Sequence, residues 1–359
     1  MTGSNERRPT KLPNMLLTEF LEQTGATVAA YDVGRRVGAI AHADFIAFEQ
    51  AVLPYPLPMQ HKAWFALVQT TADHPRDPLI WFLRLSLDEQ GLLVQAERDY
   101  LLQRLLESVQ ACRQGADPQA FLQDNPFAFT PRQDRMALLH ALLSADLGLA
   151  PSRHYAHALE YFRGALGWDQ WSFVGYQGIA DVACRHFDGP LPDAIAALPD
   201  EPLLALCHCL ESRPVHGPLA DALHARLRLA LHRGQTDIRV VAALIRGLSR
   251  SADRTALVAV LREVLTHPIG SNIEILAAIG GRAWESLGED GLLHSFLQQL
   301  ARNDHGQAAF EHCIRDLLSL PAMSDRLRGA LRSPDQSDAV REAFSRMTAD
   351  RGRGDRPDA

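Results

Sequence analysis

Near Asp88-Glu89-Gln90-Gly91 the hydrophobic period of the chain changes. Apolar runs of strand character lie before it, and after it nearly every apolar residue falls on a helical stripe. A period that switches once from about 2 to about 3.6 requires two kinds of packing, a small mixed domain and a long helical region. With 359 residues there is room for both, since domains run to about 100–200 residues. The predicted fold is mainly α: an irregular α-solenoid of HEAT-like helix pairs over residues 92–347. It is preceded by a small α+β domain with an antiparallel hairpin over 15–91, and unstructured tails are expected at 1–14 and 348–359.

Within the first part, Leu16, Leu17, Phe20 and Leu21 stand at helical spacing and Gly25 sits where a C-terminal cap belongs. Ala26 to Tyr31 is a short β-type run, followed by turn chemistry in Asp32-Val33-Gly34. Ala63 to Val68 and Leu79 to Leu85 are rich in aromatic and branched residues and flank a polar loop. Too few residues separate them for a crossover helix, so an antiparallel hairpin is expected. Asp44 to Leu53 reads as a helix. Pro54-Tyr55-Pro56-Leu57-Pro58 reads as an extended connector, because proline pushes its predecessor out of the helical region.

The second part begins with Leu101, Leu102, Leu105, Leu106, Val109 and Cys112 on one stripe, ending near Gly115. Apolar segments of helical period follow, separated by Asp117-Pro118, Gly148 to Ser152, Asp188-Gly189-Pro190, Gly217-Pro218, Gly234 to Asp237 and His267-Pro268. Short links between amphipathic helices favour antiparallel neighbours, and a long succession of them favours a stacked array over one bundle. Ala158 to Phe162 followed by Trp171 to Ala180 has the flavour of tetratricopeptide packing, but no fixed period continues from it.

Composition narrows the class. With 47% apolar and 22% charged residues the chain is typical of soluble globular proteins. It contains no apolar run of membrane-spanning length, and residues 1–14 lack the apolar core of a signal peptide, so a cytoplasmic location is expected. Five cysteines at 112, 184, 207, 209 and 313 form no ligand or disulfide pattern and read as buried thiols. Cys207-His208-Cys209 resembles a metal site only in its letters, because adjacent helical positions point about 100° apart. His305 and His312 share a face without the glutamate a metalloprotease motif requires. No metal, cofactor or catalytic residue is assigned.

Three constellations are candidates for binding. In Tyr31-Asp32-Val33-Gly34-Arg35-Arg36-Val37-Gly38, Arg35 and Arg36 beside a glycine turn could hold a carboxylate or phosphate. The structural alternative is a strand-turn-strand corner in which Asp32 pairs with one arginine. Trp168 to Gly178 places Trp168, Trp171, Gly175 and Gly178 near one helical face. It offers Gln170, Tyr176 and Gln177 as a recognition surface, with close helix packing as the alternative. Between Ser212 and Arg262 stand nine arginines, three aspartates and no glutamate, a net of +6 within a chain whose formal charge is −7. Arg226, Arg233 and Arg246 are the expected partner-binding residues there, with a solvated outer face as the plain reading.

Three blocks carry a resemblance: Tyr31 to Val37, Trp81 to Leu93, and Ala283-Trp284-Glu285 together with Gln307 to Leu318. In these the chain resembles a proteobacterial family defined only as a domain of unknown function. The resemblance spans about Leu16 to Met347 and implies no activity and no catalytic residue.

The leading expectation is a non-enzymatic cytoplasmic interaction or scaffold protein that presents a helical-repeat surface to an acidic protein partner. One alternative is an RNA- or nucleoprotein-associated factor using the arginine-rich stretch 213–262. Its binding would weaken steeply with salt. The other is an enzyme with an inter-domain site drawing on Asp32, Arg35, Arg36 and His61.

Overall fold

In the computed structural model of the protein, residues 15–23, 25–73, 76–113, 125–185, 189–232, 236–289 and 291–354 are described. The tail expected at 1–14, the helix end near Gly115 and the break at Asp117-Pro118 lie outside those residues. Contacts divide the chain into two units, Met1–Gly34 with Ala39–Pro131, and Arg35–Gly38 with Arg132–Ala359. The division falls beyond the change of pattern at 88–91.

The apolar runs of the first unit form strands β1 (Thr27–Asp32), β2 (Gly38–Ile40), β3 (Lys62–Thr70) and β4 (Leu79–Ser86) in the order β2-β1-β3-β4. β3 and β4 pair antiparallel with Lys62 opposite Ser86 and Gln69 opposite Leu79, the expected hairpin. β1 pairs antiparallel with β3, Thr27 opposite Thr70 and Asp32 opposite Phe65. Alternate residues of β3, Ala63, Phe65 and Leu67, point to the core as the two-residue strand period requires. Helices α1 (Leu17–Glu22), α2 (His42–Glu49) and α3 (Gln95–Arg113) cover that face. Leu17, Phe45, Phe48, Leu101, Leu102 and Leu105 belong to one core with Phe65, Leu67 and Leu85. The first long helix is therefore part of the sheet's own core.

The turn at the change of pattern has a local cause. Asp88 Oδ1 accepts from the backbone N–H groups of Gln90 at 2.8 Å and Leu92 at 2.9 Å, and Gly91 takes φ +78°, which a residue with a Cβ adopts rarely. A Cβ on Gly91 would also lie 3.3 Å from Pro54 Cβ. The Gly91 carbonyl accepts from the Tyr55 N–H at 2.9 Å, which ties the proline-rich connector to this turn.

The second unit is helical: α4 (Gln133–Asp146), α5 (Tyr155–Phe162), α6 (Tyr176–Arg185), α7 (Pro190–Ala197), α8 (Asp200–Leu210), α9 (Gly217–His232) and α10 (Ile238–Leu248). It continues with α11 (Arg254–Thr266), α12 (Ile273–Arg282), α13 (Leu292–Ala301), α14 (Gly306–Leu318), α15 (Pro321–Leu331) and α16 (Asp338–Gly354). Each even-numbered helix from α4 to α14 packs on the next even one, and the odd-numbered helices α5 to α15 do the same. Among the described residues no helix is long and apolar enough to cross a membrane.

Two expectations change. Trp168 to Gly178 is not one helix: Trp168–Phe173 is a 3₁₀ helix, and α6 starts afresh at Tyr176. Trp168 and Trp171 instead pack around Tyr161, with ring centroids at 5.3 and 6.0 Å. At the C-terminal end, α16 continues past Thr348 to Gly354, where an unstructured tail is predicted; residues 355–359 lie outside the described part.

Candidate functional site

Several helix ends of the second unit meet around one carboxylate. Glu211 caps the C-terminus of α8 and is only 2% exposed. Burial and the negative end of a helix both disfavour a carboxylate there. Three cations compensate. Arg246, in the last turn of α10, donates through Nε to Glu211 Oε2 at 2.7 Å. Arg135, in α4, donates through Nη2 to Oε1 at 3.1 Å. Arg282, the last residue of α12, holds its Nε 3.0 Å from Oε1.

The convergence follows from how α8 and α10 run. The segments that leave them are joined in parallel, Val215 N–H to the Arg250 carbonyl at 3.1 Å and Ala252 N–H to the Val215 carbonyl at 2.8 Å. Both C-termini therefore lie on the same side. Gly247 permits the approach, since a Cβ there would come within 3.1 Å of Cys207 Sγ. α4 and α6 contribute their N-terminal turns, with Asp134, Arg135 and Tyr176.

Together Arg132, Asp134, Arg135, Leu138, Tyr176, His208, Glu211, Arg246 and Arg282 line a cleft of about 130 Å³. Burial raises the Glu211 pKa, but Arg282, Arg246 and Arg135 together outweigh it and hold the carboxyl at about 2. Arg282 is brought down to about 10, by burial first and then by Arg135 and Arg246 against the pull of Glu211; it remains a cation at neutral pH. Burial and Arg246 push the His208 pKa down, so its imidazole is neutral. Burial raises the pKa of both the Tyr176 hydroxyl and the Cys209 thiol. On the rim, Arg132 pairs with Asp134 at 3.1 Å. The lining thus carries four guanidiniums against two carboxylates.

The Arg35-Arg36 segment belongs to this unit and runs close by. Arg35 grips Asp316 with two bonds, at 2.9 and 2.6 Å. Arg36 donates to Glu285 Oε1 at 2.8 Å and to the Arg282 carbonyl at 2.7 Å, its guanidinium 4.0 Å from the Trp284 ring centroid. The Val37 N–H donates to Ser212 Oγ at 3.1 Å. Both arginine forks, expected to face an outside partner, are buried on internal carboxylates.

The other predicted residues scatter. Tyr176 and Arg246 meet in the cleft. Gln177 donates to the Ala137 carbonyl at 3.0 Å, and Gln170 to its neighbour Asp169 at 2.7 Å. Arg226 is buried and binds the carbonyls of Ala196 and Leu198 at the end of α7, which makes it a helix cap. Arg233 lies outside the described residues. Asp32 accepts from the Tyr55 hydroxyl at 2.8 Å, and His61 lies in a turn at φ 56°.

The +6 of the middle stretch is answered largely from beyond it. Arg228 pairs with Glu263, Arg239 with Glu201 as well as Asp237, Arg246 with Glu211, and Arg254 with Glu285. Glu211 stands one residue before the counted stretch begins. Sequence reasoning missed Arg132, Arg135, Glu211 and Arg282, and weighed His208 only as a metal ligand. The available signal was an acid placed directly after the last apolar turn of α8, where the helix end disfavours it.

Among the described residues the thiols are not poised for nucleophilic chemistry. Burial pushes Cys184 and Cys207 up to about 12 and Cys313 to about 11, so all three are protonated at neutral pH. Among the described residues no group of His, Cys, Asp and Glu is placed to hold a metal ion. What the cleft can do is bind an anion. The chain matches no curated protein and no solved structure. A family profile described as "Protein of unknown function (DUF3549)" covers residues 15–348, and the protein belongs to that family.

Proposed function

We propose that the protein is a non-enzymatic, cytoplasmic interaction protein. Its second unit acts as an irregular α-solenoid of HEAT-like helix pairs and presents the Glu211 cleft to an acidic protein partner. The observation that carries this reading is the excess of arginine over carboxylate in a concave site built from helix ends. Packing between next-but-one helices supports the array, because stacked repeats bury a continuous core in that way. An RNA-binding reading has less support, since several cations of the 213–262 stretch are taken up by the protein's own carboxylates and carbonyls.

The test is the binding of a Glu- and Asp-rich peptide, measured by fluorescence anisotropy at low and high salt. The wild-type chain should bind it, bind a Lys-rich peptide far less, and weaken with salt. The double variant Arg132→Glu, Arg246→Glu should lose the acidic peptide. Equal binding by the variant would refute the cleft as the contact.

A further inference from the structure

The three arginines around Glu211 are more than one carboxylate needs. A carboxylate offers about four acceptor sites, whereas each guanidinium carries five N–H donors. Among the described residues, Arg246 uses Nε on Glu211, and neither of its Nη atoms has a bond. Arg135 uses Nη2, leaving Nη1 and Nε. Arg282 holds Nε 3.0 Å from Glu211 without a hydrogen bond there and donates Nη1 to the Gly281 carbonyl, leaving Nε and Nη2. The charge around Glu211 is unbalanced as well. Arg135, Arg246 and Arg282 against Glu211 leave two positive charges, since Arg132 and Asp134 answer each other.

The space beside them fits a small polyoxygen anion. The cleft of about 130 Å³ is several times the roughly 10–15 Å³ of such space that one water needs. A single carboxylate would neutralise half of the excess. A phosphoryl group carries about −1.5 to −2 near neutral pH and presents three strong acceptor oxygens, matching both the charge and the spare donor edges. His208 also lines the space with a ring that can donate a hydrogen bond. Arg36, bonded to the Arg282 carbonyl, anchors the end of α12.

We infer that the cleft is a binding site for a phosphate-class dianion, held by the spare donors of Arg135, Arg246 and Arg282, with Glu211 as a built-in competitor. This rests on the reading of the cleft as the partner site and names the group that enters it, a phosphoryl group on the partner or free phosphate.

The experiment is calorimetric titration of the full-length chain with inorganic phosphate, against sodium chloride of equal ionic strength. Saturable one-site binding is expected with phosphate and none with chloride. Arg246→Gln should weaken it at least tenfold. Glu211→Gln removes the competing anion and should tighten it, a gain that a cluster serving stability alone would not produce. Should Glu211→Gln fail to fold, Arg246→Gln carries the test. Absence of saturable binding, binding unchanged in Arg246→Gln, or weaker binding in a folded Glu211→Gln would overturn the inference. A short phosphoserine peptide separates the sources: tighter binding than free phosphate points to a phosphorylated partner, and equal or weaker binding to the free ion. An acidic peptide that binds the cleft while phosphate does not would sink this inference and leave the proposed function standing. Failure of the acidic peptide alone would do the reverse.

Discussion

Glu49 in the first unit and Glu211 in the second are both sealed from solvent, and the two units treat their charge in opposite ways. Glu49 accepts from the Leu17 N–H at 2.7 Å, the Thr18 N–H at 3.3 Å and the Thr18 hydroxyl at 2.5 Å, capping α1 from a distant part of the chain. The nearby Arg98 donates to the Glu49 backbone carbonyl at 2.5 Å and to Asp99, so it acts on the carboxylate only from a distance. Burial prevails and the Glu49 pKa rises. At Glu211 burial pushes the same way, yet three arginines reverse it. At Glu49 the neutral donors offset only part of the desolvation, whereas at Glu211 several close cations outweigh it. One unit uses a carboxylate as a helix cap, and the other keeps a permanent anion at the centre of a basic cleft.

The contrast can be broken by mutation. Glu211→Ala leaves three arginines facing one another, two of them with little solvent access, and should cost about 3–5 kcal/mol in denaturant unfolding. A loss below about 1 kcal/mol would mean that the cluster does not depend on its anion.

Acid sharpens it next. The folded Glu211 pKa of about 2 lies below the ordinary value of 4.5, so its contribution is complete above pH 4.5 and is lost as the pH falls toward 2. The size is about 3 kcal/mol at 1.36 kcal/mol per unit. Unfolding free energies measured across that range should fall in the wild type, and this component should vanish in Glu211→Gln.

Glu49 should give the opposite slope. Its folded pKa is raised, so its stabilising contribution is greatest below pH 4.5 and declines as the pH climbs through the folded value. Glu49→Gln should change stability by less than about 2 kcal/mol, the range for a helix cap, and remove that decline. The smallest effect belongs to the half-exposed pair Arg163–Glu160 at 2.8 Å. Arg163→Ala should cost no more than about 0.5 kcal/mol by the same measurement, and a larger loss would show that surface pairs matter here as much as buried ones.

Much of the fold was legible in the sequence. The hairpin of β3 and β4 follows from two branched and aromatic runs around a polar loop, and α1 from the spacing of Leu17, Phe20 and Leu21. The Trp168 to Gly178 stretch misled because glycines and indoles at helical spacing do not show where a 3₁₀ turn ends and a helix begins. The cleft was legible only in Tyr176 and Arg246. Arg35, Arg36 and Arg226 were singled out for their charge, but charge does not reveal whether a guanidinium meets solvent or a carbonyl; all three are buried.

From residue order alone came the two periods and the place where one gives way to the other. These are local matters, set by side-chain spacing and backbone preference within a few residues. Which arginine meets which carboxylate was decided by tertiary structure. Residues 135, 211, 246 and 282 come together only because α4, α8, α10 and α12 bring their ends to one place, and no sequence interval records that meeting. The physical reason is that a buried charge must find its counter-charge wherever packing puts one, and packing joins residues far apart in the chain.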